Sequence, residues 1–424
     1  MASTYLTRTP SSAGDVNTWT LSVWCKRAKP DSSTGSYVIL SGDQSGTYGD
    51  MIRFREDKLN FFNISNATNY YFSDRLYRDT SAWYHVVIQY DGANSTVNAY
   101  VNGEDAGSVS ISLNENSSIN NNTTQVIGAR DSAATANYFD GSMAHFHFID
   151  GTIYSASAFG ETDATTGIWK PITAPSVTYG TNGFFLKFEN SGAFGTDSSG
   201  NGNNFTVSGG TMTQTIDTPS NVFATLNPLD NFYAGSTFSN GNNTITTGSS
   251  NQTYNTSTFG VSSGKWYWEY KFTGTTQQYM TGITSKLSTS TTDVLGYQHA
   301  EEYAINQSGS GIYSNSVTTS YGSGNLASGD IISVALDLDN NNLYFAKNGQ
   351  WGSGSAWDQT FSTALAYSIT DPANTTLGAY FVAVGDWNAS GNSIINMNFG
   401  NGYFGTTAVS SAENPDDGIG IFEY

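Results

Sequence analysis

One cysteine stands in 424 residues, so no intrachain disulfide can staple this chain. Cys25 alternates with Leu21 and Val23 in WTLSVWCKR, the pattern of a small core residue rather than of a reactive thiol. Basic residues number 16 against 35 acidic ones, a formal charge of −19. A phosphate backbone therefore lacks its usual electrostatic attraction, and nucleic acid is not expected as a partner. No window approaches the ~20 apolar residues of a membrane-spanning helix, so membrane insertion is not expected. The start, MASTYLTRTPSSAGDV, has no apolar run behind a basic region, so no signal peptide is expected either.

Charged residues make up only 12% of the chain, about half the usual ~25%. Ser, Thr, Asn and Gly supply the polar surface instead, and these residues favour turns and short strands over long helices. The many N-x-S/T triplets, such as those at Asn94, Asn122, Asn255 and Asn374, follow from this composition and are not read as glycosylation acceptors.

Alternating segments recur with turn signals between them: WTLSVWCK, SYVILSG, MIRFRE, LNFFNI, WYHVVIQY, TVNAYVNG, QVIGAR and MAHFHFI. Residues 156 to 215 are looser, although GFFLKFEN and NNFTVSG still read as strands. From about residue 235 the alternation resumes in KWYWEYKF, YMTGIT, EYAINQ, DIISVALDLD, NLYFAKNG, AYFVAVG and IINMNFG. This pattern predicts an all-β chain of two consecutive antiparallel β-sandwich domains of jelly-roll type. The first spans 1–215, with its core in 1–155 and completing strands and loops in 156–215. An irregular linker follows at 216–240, then a second sandwich at 241–405 and a C-terminal tail at 406–424. HVVIQYDGANSTVNAYVNG and ISVALDLDNNNLYFAKNG look like two copies of one hairpin, yet the halves do not align elsewhere. An Asn-Gly hairpin can arise independently, and the pair is read as scaffold.

Catalytic patterns are incomplete. The nearest approach to a glucanase E-x-D-x-x-E strand is Glu161-Thr-Asp163-Ala-Thr-Thr166, which lacks the last carboxylate and reads as a loop. Glu301 and Glu302 are adjacent and would face opposite sides of a strand, while Asp337 and Asp339 share a face at a hairpin end, where turn capping is expected. His145 and His147 share one face of a strand, but no C-x-x-C or H-E-x-x-H accompanies them. With four histidines in all, no Ser-His-Asp or Cys-His system can be placed from spacing. No catalytic residue is assigned, and the chain is expected not to be an enzyme.

The first block resembles the laminin-G-like, concanavalin A-like jelly-roll family through WTLSVWCKR at 19–27, WYHVVIQYDGANSTVNAYVNGEDAG at 83–107 and VIGARDSAATANYFDGSMAHFHFIDG at 126–151. DSSGNGNNF at 197–205 is similar to a stretch that often opens such domains. Some relatives bind calcium in loops, so the resemblance implies Asp140, Asp197, Asn201 and Asn203 as candidate Ca²⁺ ligands, beside the alternative of a plain Asn/Gly turn.

The second block resembles the SPRY family through SSGKWYWEYKF at 262–272, SGDIISVALDLDNNNLYFAKNG at 328–349 and LGAYFVAVGDWNASGNSIINMNFG at 377–400. SPRY domains are binding scaffolds that use loops at one end of the sandwich. The two modules together, TPSNVFATLNPL at 218–229 and AENPDDGIGIFEY at the end resemble proteins encoded by marine bacteriophages. This implies a virion surface protein made in the host cytoplasm, a tail fibre, head fibre or capsid decoration. Its expected partners are other virion proteins and host cell-surface glycan. A homo-oligomer is expected too; trimers are common in phage fibres, although no heptad segment specifies one. The alternatives are a structural cement protein without a ligand, and a glycan-degrading enzyme on the concanavalin A-like fold. Sugar binding needs aromatic faces amid amides and hydroxyls, so Tyr70 and Tyr71 in NATNYYFSD, and Trp351, Trp357 and Trp387 in Gly/Ser-rich turns, are the candidate glycan or partner contacts. Trp266 and Trp268 are assigned to packing.

Overall fold

The computed structural model describes all residues except 1–2, 31–34, 45–46, 113–116, 134–135, 249, 275–277, 388–391 and 414–417. The chain is all-β, with antiparallel sheets, and forms two compact units, Met1–Val222 and Phe223–Tyr424.

In the first unit the seven-stranded sheet runs, in spatial order, Thr206–Ser208, Tyr5–Arg8, Gln125–Ile127, Ser36–Gln44, Thr47–Arg55, Lys58–Asn63 and Thr68–Tyr71. The six-stranded sheet runs Phe184–Leu186, Gly141–Asp150, Thr18–Arg27, Trp83–Asp91, Thr96–Val101 and Glu104–Ser110. Period-two alternation sends Trp19, Leu21, Val23 and Cys25 inward against Ile52, Phe54 and Phe61, and all of these are buried. Burial pushes the Cys25 thiol up to about 12, which keeps it in the unreactive protonated form.

The outer face of the six-stranded sheet is covered too. Ala156, Phe159, Trp169 and Tyr179 pack over Val87 and Ile149, so the central strand Thr18–Arg27 is buried along nearly its whole length. His147 belongs to this covered layer rather than to a polar outer face, at 1% exposure with its ring stacked 3.9 Å from that of Phe185. His145 departs from simple alternation: the strand register shifts between Ala144 and His147, and His145 takes φ of 47° there.

In the second unit one sheet runs Thr237–Ser239, Thr244–Thr246, Ile394–Asn398, Lys265–Phe272, Ile331–Asp337, Asn342–Lys347, Gln350–Gly352 and Trp357–Gln359, with Tyr367–Ser368 paired beside Asn342–Lys347. Its partner sheet runs Tyr254–Val261, Tyr380–Asp386, Tyr279–Thr284, Glu302–Asn306, Gly311–Ser314 and Val317–Ser320. Tyr270, Phe272, Val334 and Phe345 meet Ile283, Ile305 and Val384 in a shared core. Trp268 is buried there, while Trp266, on the same strand face, overruns the end of the core and is 46% exposed.

Two stretches read as linker and tail are built into the units. Asp217 is buried in the first unit against Lys26, and Leu226 lies fully buried in the second core. Near the end of the chain, Ile421 bridges Asn401 and Phe422 is buried. In both stretches isolated apolar or charged side chains find partners that no local periodicity announces.

The two look-alike hairpins share one turn chemistry. Asp91 accepts from the backbone N–H of Asn94 at 3.1 Å and its side-chain amide at 2.7 Å, and Asp337 does the same for Asn340 at 3.1 and 2.8 Å. The residues that follow, Ser95 and Asn341, take φ of 56° and 54° to complete each turn.

Candidate functional site

The candidate aromatics do not converge on one surface. Tyr70 and Tyr71 lie not in a loop but on the edge strand Thr68–Tyr71, because the turn occurs earlier, at Ala67 with φ of 54°. As neighbours on a strand they face opposite sides. Tyr70 stacks on Phe61 at 6.1 Å and its hydroxyl accepts from the Asn66 amide at 2.9 Å. Tyr71 accepts from Arg55 Nε at 3.2 Å, and Lys58 Nζ stands 5.7 Å from its ring centroid.

Trp357 and Trp387 are folded back onto their sandwich. Trp357 meets Tyr321 edge-on at 5.8 Å and packs against the second core. Trp387 packs over a smaller cluster of Tyr254, Met280, Val294, Leu295, Ala304 and Ala383. Residues 388–391 of the GDWNASGN turn lie outside the described residues.

Trp351 is different. The turn at Asn348 and Gly349, with φ of 49° and 78°, pairs Lys347 with Gln350 and sets Trp351 opposite Ala346. Alternation along Asn342–Lys347 sends Leu343 and Phe345 into the core and Tyr344 and Ala346 to the outer face. Phe361 packs on this face from a 3-10 turn, edge-on to Trp351 at 4.8 Å and 5.4 Å from Tyr344. Phe361 is 56% exposed, with Trp351 and Tyr344 half-buried beside it. The hydroxyls of Thr360, Ser362 and Thr363 form their own hydrogen-bonded cluster next to this ledge. Sequence reasoning missed Tyr344 and Phe361; the legible signal was a lone phenylalanine in the polar run DQTFST.

The candidate calcium ligands are engaged in holding loops. Asp197 Oδ1 accepts from the Phe185 and Ser199 amides at 2.9 and 2.8 Å, and Oδ2 accepts from the Ser199 hydroxyl and the Asn203 amide, both at 2.8 Å. The side-chain amide of Asn201 donates to the carbonyls of Gly180 and Gly183 at 2.7 and 2.9 Å. That of Asn203 donates to Thr181 and Gly183 at 2.9 and 2.8 Å, while its oxygen accepts from Arg8. This is a donor-saturated turn, with few lone pairs left for a cation. Asp140 is half-buried at another place in the unit, where burial raises its carboxyl pKa and its carbonyl accepts from Ala28.

The carboxylates weighed for catalysis are also committed. Lys170 pairs with Asp163 at 2.9 Å and stands 3.6 Å from Glu161 on the hairpin Gly160–Thr162/Trp169–Pro171, and Asp163 also caps its turn through Thr165 and Thr166. Asp337 caps the turn described above, and Asp339 accepts from the Gly264 amide at 3.0 Å. Glu301 binds Thr376 through its amide and hydroxyl, while Glu302, the next residue, is fully buried on the opposite side.

Residues 2–157 match the concanavalin A-like lectin/glucanases superfamily, and residues 265–374 match the SPRY domain. The chain therefore carries a concanavalin A-like lectin/glucanase domain followed by a SPRY domain. No curated protein matches it. Among solved structures it is similar to the SPRY domain of human HERC1, at 16% identity over 41% of this chain and 96% of that one, with a TM-score of 0.31. It is also similar to a putative carbohydrate binding protein from Bacteroides ovatus, at 16% identity over 49% of this chain and 56% of that one, with a TM-score of 0.31. A third is an SAP-like pentraxin from Limulus polyphemus, at 19% identity over 36% of this chain and 73% of that one, with a TM-score of 0.29.

Proposed function

We propose that this chain is a non-catalytic adhesion protein of a bacteriophage virion, a tail fibre, head fibre or capsid decoration, that presents its two sandwiches for attachment to host-surface glycan. The observation that carries the binding reading is the Trp351–Phe361–Tyr344 ledge: an aromatic edge with Phe361 exposed, built on a hairpin and bordered by hydroxyls. Aromatic rings offer apolar faces to the C–H side of a sugar, and flanking hydroxyls satisfy the sugar's own polar groups. The virion reading is supported by the order of the two modules and by the connecting and terminal segments, which resemble phage-encoded proteins. The non-catalytic reading is supported by the lysine pairing of Glu161 and Asp163 and by the turn-capping duty of Asp337.

The test is glycan-array binding by the purified chain, followed by virion adsorption to host cells. Trp351→Ala and Phe361→Ala should each abolish binding while leaving the melting temperature and particle integrity unchanged. Retained binding in both variants overturns the ledge, and reducing-sugar release from bound polysaccharide overturns the non-catalytic reading.

A second reading, a structural cement protein, is favoured by one observation. Phe232 is 89% exposed, edge-on to Tyr233 at 4.9 Å, with Leu229 at 54% nearby in sequence, and exposed apolar side chains of this size suit a protein contact. In that case Phe232→Ser lowers particle stability and spares adsorption.

A further inference from the structure

The loop between the strands Tyr279–Thr284 and Glu302–Asn306 brings Asp293, His299 and Glu302 together, with one ligand atom from each lying within 4.8 Å of the others. The loop is held down by its own apolar residues, since Val294 and Leu295 are buried against Tyr254, Met280 and Ala304. Asp293 and Glu302 are 3% and 0% exposed, and no basic residue ion-pairs Glu302 among the described residues.

The decisive geometry is between Asp293 and His299. Nε2 of His299 lies 3.4 Å from Asp293 Oδ1, beyond a good N–H···O hydrogen bond, and that nitrogen is buried with no hydrogen-bond partner among the described residues. Two ligands each about 2.0–2.1 Å from a tetrahedral ion stand about 3.4 Å apart. The pair thus has the spacing of a coordination edge.

The remaining lone pairs are ordered from outside. Asp293 Oδ2 accepts from the Thr289 amide at 2.9 Å. Glu302 accepts from the Tyr254 hydroxyl at 2.9 Å on Oε1 and from the Gly296 amide at 2.8 Å on Oε2. Such outer contacts orient carboxylates around a metal.

We propose that Asp293, His299 and Glu302 form a divalent transition-metal site, with Zn²⁺ the best-suited ion, that ties the loop to the sandwich. One imidazole with two carboxylates suits zinc and its neighbours better than Ca²⁺ or Mg²⁺, which prefer all-oxygen ligands. A fourth position is left for water.

Lys286 Nζ stands 3.1 Å from His299 Nδ1, as a donor to that nitrogen. When Nε2 gives its lone pair to a metal, the neutral ring carries its proton on Nδ1, and the Lys286 ammonium must then swing away. Lys286 therefore opposes loading. Lys286→Gln removes a positive charge and offers an acceptor to Nδ1–H.

Tag-free, chelator-treated full-length protein titrated with Co²⁺ near neutral pH, followed by Zn²⁺ competition, tests this. The expected result is one Co²⁺ per chain with the visible absorption of a four-coordinate ion, displaced by Zn²⁺. Losing an outer-shell partner costs about 10–100-fold in affinity, so His299→Gln should weaken uptake by at least that, while Lys286→Gln tightens it. Asp197→Asn, in the donor-saturated turn of the first unit, should leave uptake unchanged. Absence of stoichiometric uptake, unchanged uptake in folded His299→Gln, unchanged affinity in Lys286→Gln, or loss of uptake in Asp197→Asn overturns the proposal.

Discussion

The indole N–H of Trp169 donates to Nδ1 of His85 at 3.0 Å, and this contact fixes the tautomer of a histidine buried in the first sandwich. With Nδ1 occupied as an acceptor, Nε2 carries the proton and donates to the Ser22 hydroxyl at 2.8 Å, while the ring stacks on Trp24 at 4.7 Å. Burial pushes the His85 pKa down to about 3, from an unfolded value near 6.5. The unfolded chain therefore binds more protons than the folded one between those two values. Stability is complete above about pH 6.5 and falls as pH drops toward 3, by up to about 1.4 kcal/mol per pH unit for this histidine. His147, lowered well below its usual range by burial, adds in the same direction. Urea unfolding at pH 7, 5.5 and 4 should show this decline, shallower in His85→Gln. A stability independent of pH over that range contradicts the buried neutral pair.

Trp169 also holds the covering segment in place. Its ring fills the space that a Cβ on Gly160 or Gly103 would enter, at 2.6 and 2.8 Å, and Gly103 has φ of +81°. Trp169→Phe keeps most of the packing but leaves Nδ1 of His85 without its donor, at a cost of about 1–3 kcal/mol. Gly160→Ala should destabilise the same segment by steric conflict alone. A shared loss of amide protection across residues 156–179 in both variants, read by hydrogen exchange, checks the assignment.

Asp217, like Asp57 beside Arg27, is a buried counter-charge of the first unit. Its carboxylate accepts from Lys26 Nζ at 2.8 Å and from the Trp83 indole at 3.0 Å, and both charged side chains are nearly excluded from solvent. Asp217→Ala leaves an ammonium buried near the end of the strand Thr18–Arg27 and should cost about 3–5 kcal/mol, whereas Lys26→Met with Asp217→Leu should recover much of it. Denaturant midpoints of the single and double variants decide the matter; equal losses in both would show that the charges matter less than the space they fill.

What the sequence made legible was whatever repeats. Period-two alternation located the strands, and Asp-Gly and Asn-Gly steps marked the hairpins, so the inward faces of Thr18–Arg27 and Trp83–Asp91 were readable. Asp337 could be identified as a turn cap because its partner, Asn340, lies only three residues away. Interactions across long chain distances left no such trace. Trp169 sits in a segment without periodicity and meets His85 84 positions away. Trp351, Trp357 and Trp387 look alike in Gly/Ser-rich turns, yet one borders an exposed ledge and two are folded back onto the sandwich, a difference set by neighbours such as Phe361 and Tyr321. The Asp293, His299 and Glu302 cluster depends on how one loop closes, which spacing alone does not specify.

Glu269 provides the sharpest example of such a distant contact, and a prediction that isolates it. The residue is fully buried on the strand Lys265–Phe272, where burial raises its carboxyl pKa. It accepts the Tyr424 amide at 2.9 Å and the Tyr267 hydroxyl at 3.0 Å on Oε1, and the Glu423 amide at 2.9 Å and the Asn398 amide group at 3.3 Å on Oε2. One carboxylate thus receives two consecutive backbone amides, and Phe422 packs edge-on to Tyr267 at 4.8 Å beside them. Glu269→Gln replaces one acceptor oxygen by a donor NH₂, so at least one of the two amides must lose its partner, at about 1–3 kcal/mol. Amides of Glu423 and Tyr424 should then exchange rapidly while those of the central strand Ile331–Asp337 remain protected. Glu269→Ala should release the segment fully and also leave Asn398 short of an acceptor. Unchanged exchange at Glu423 and Tyr424 in both variants would mean that Phe422 packing, and not the carboxylate, holds the segment down.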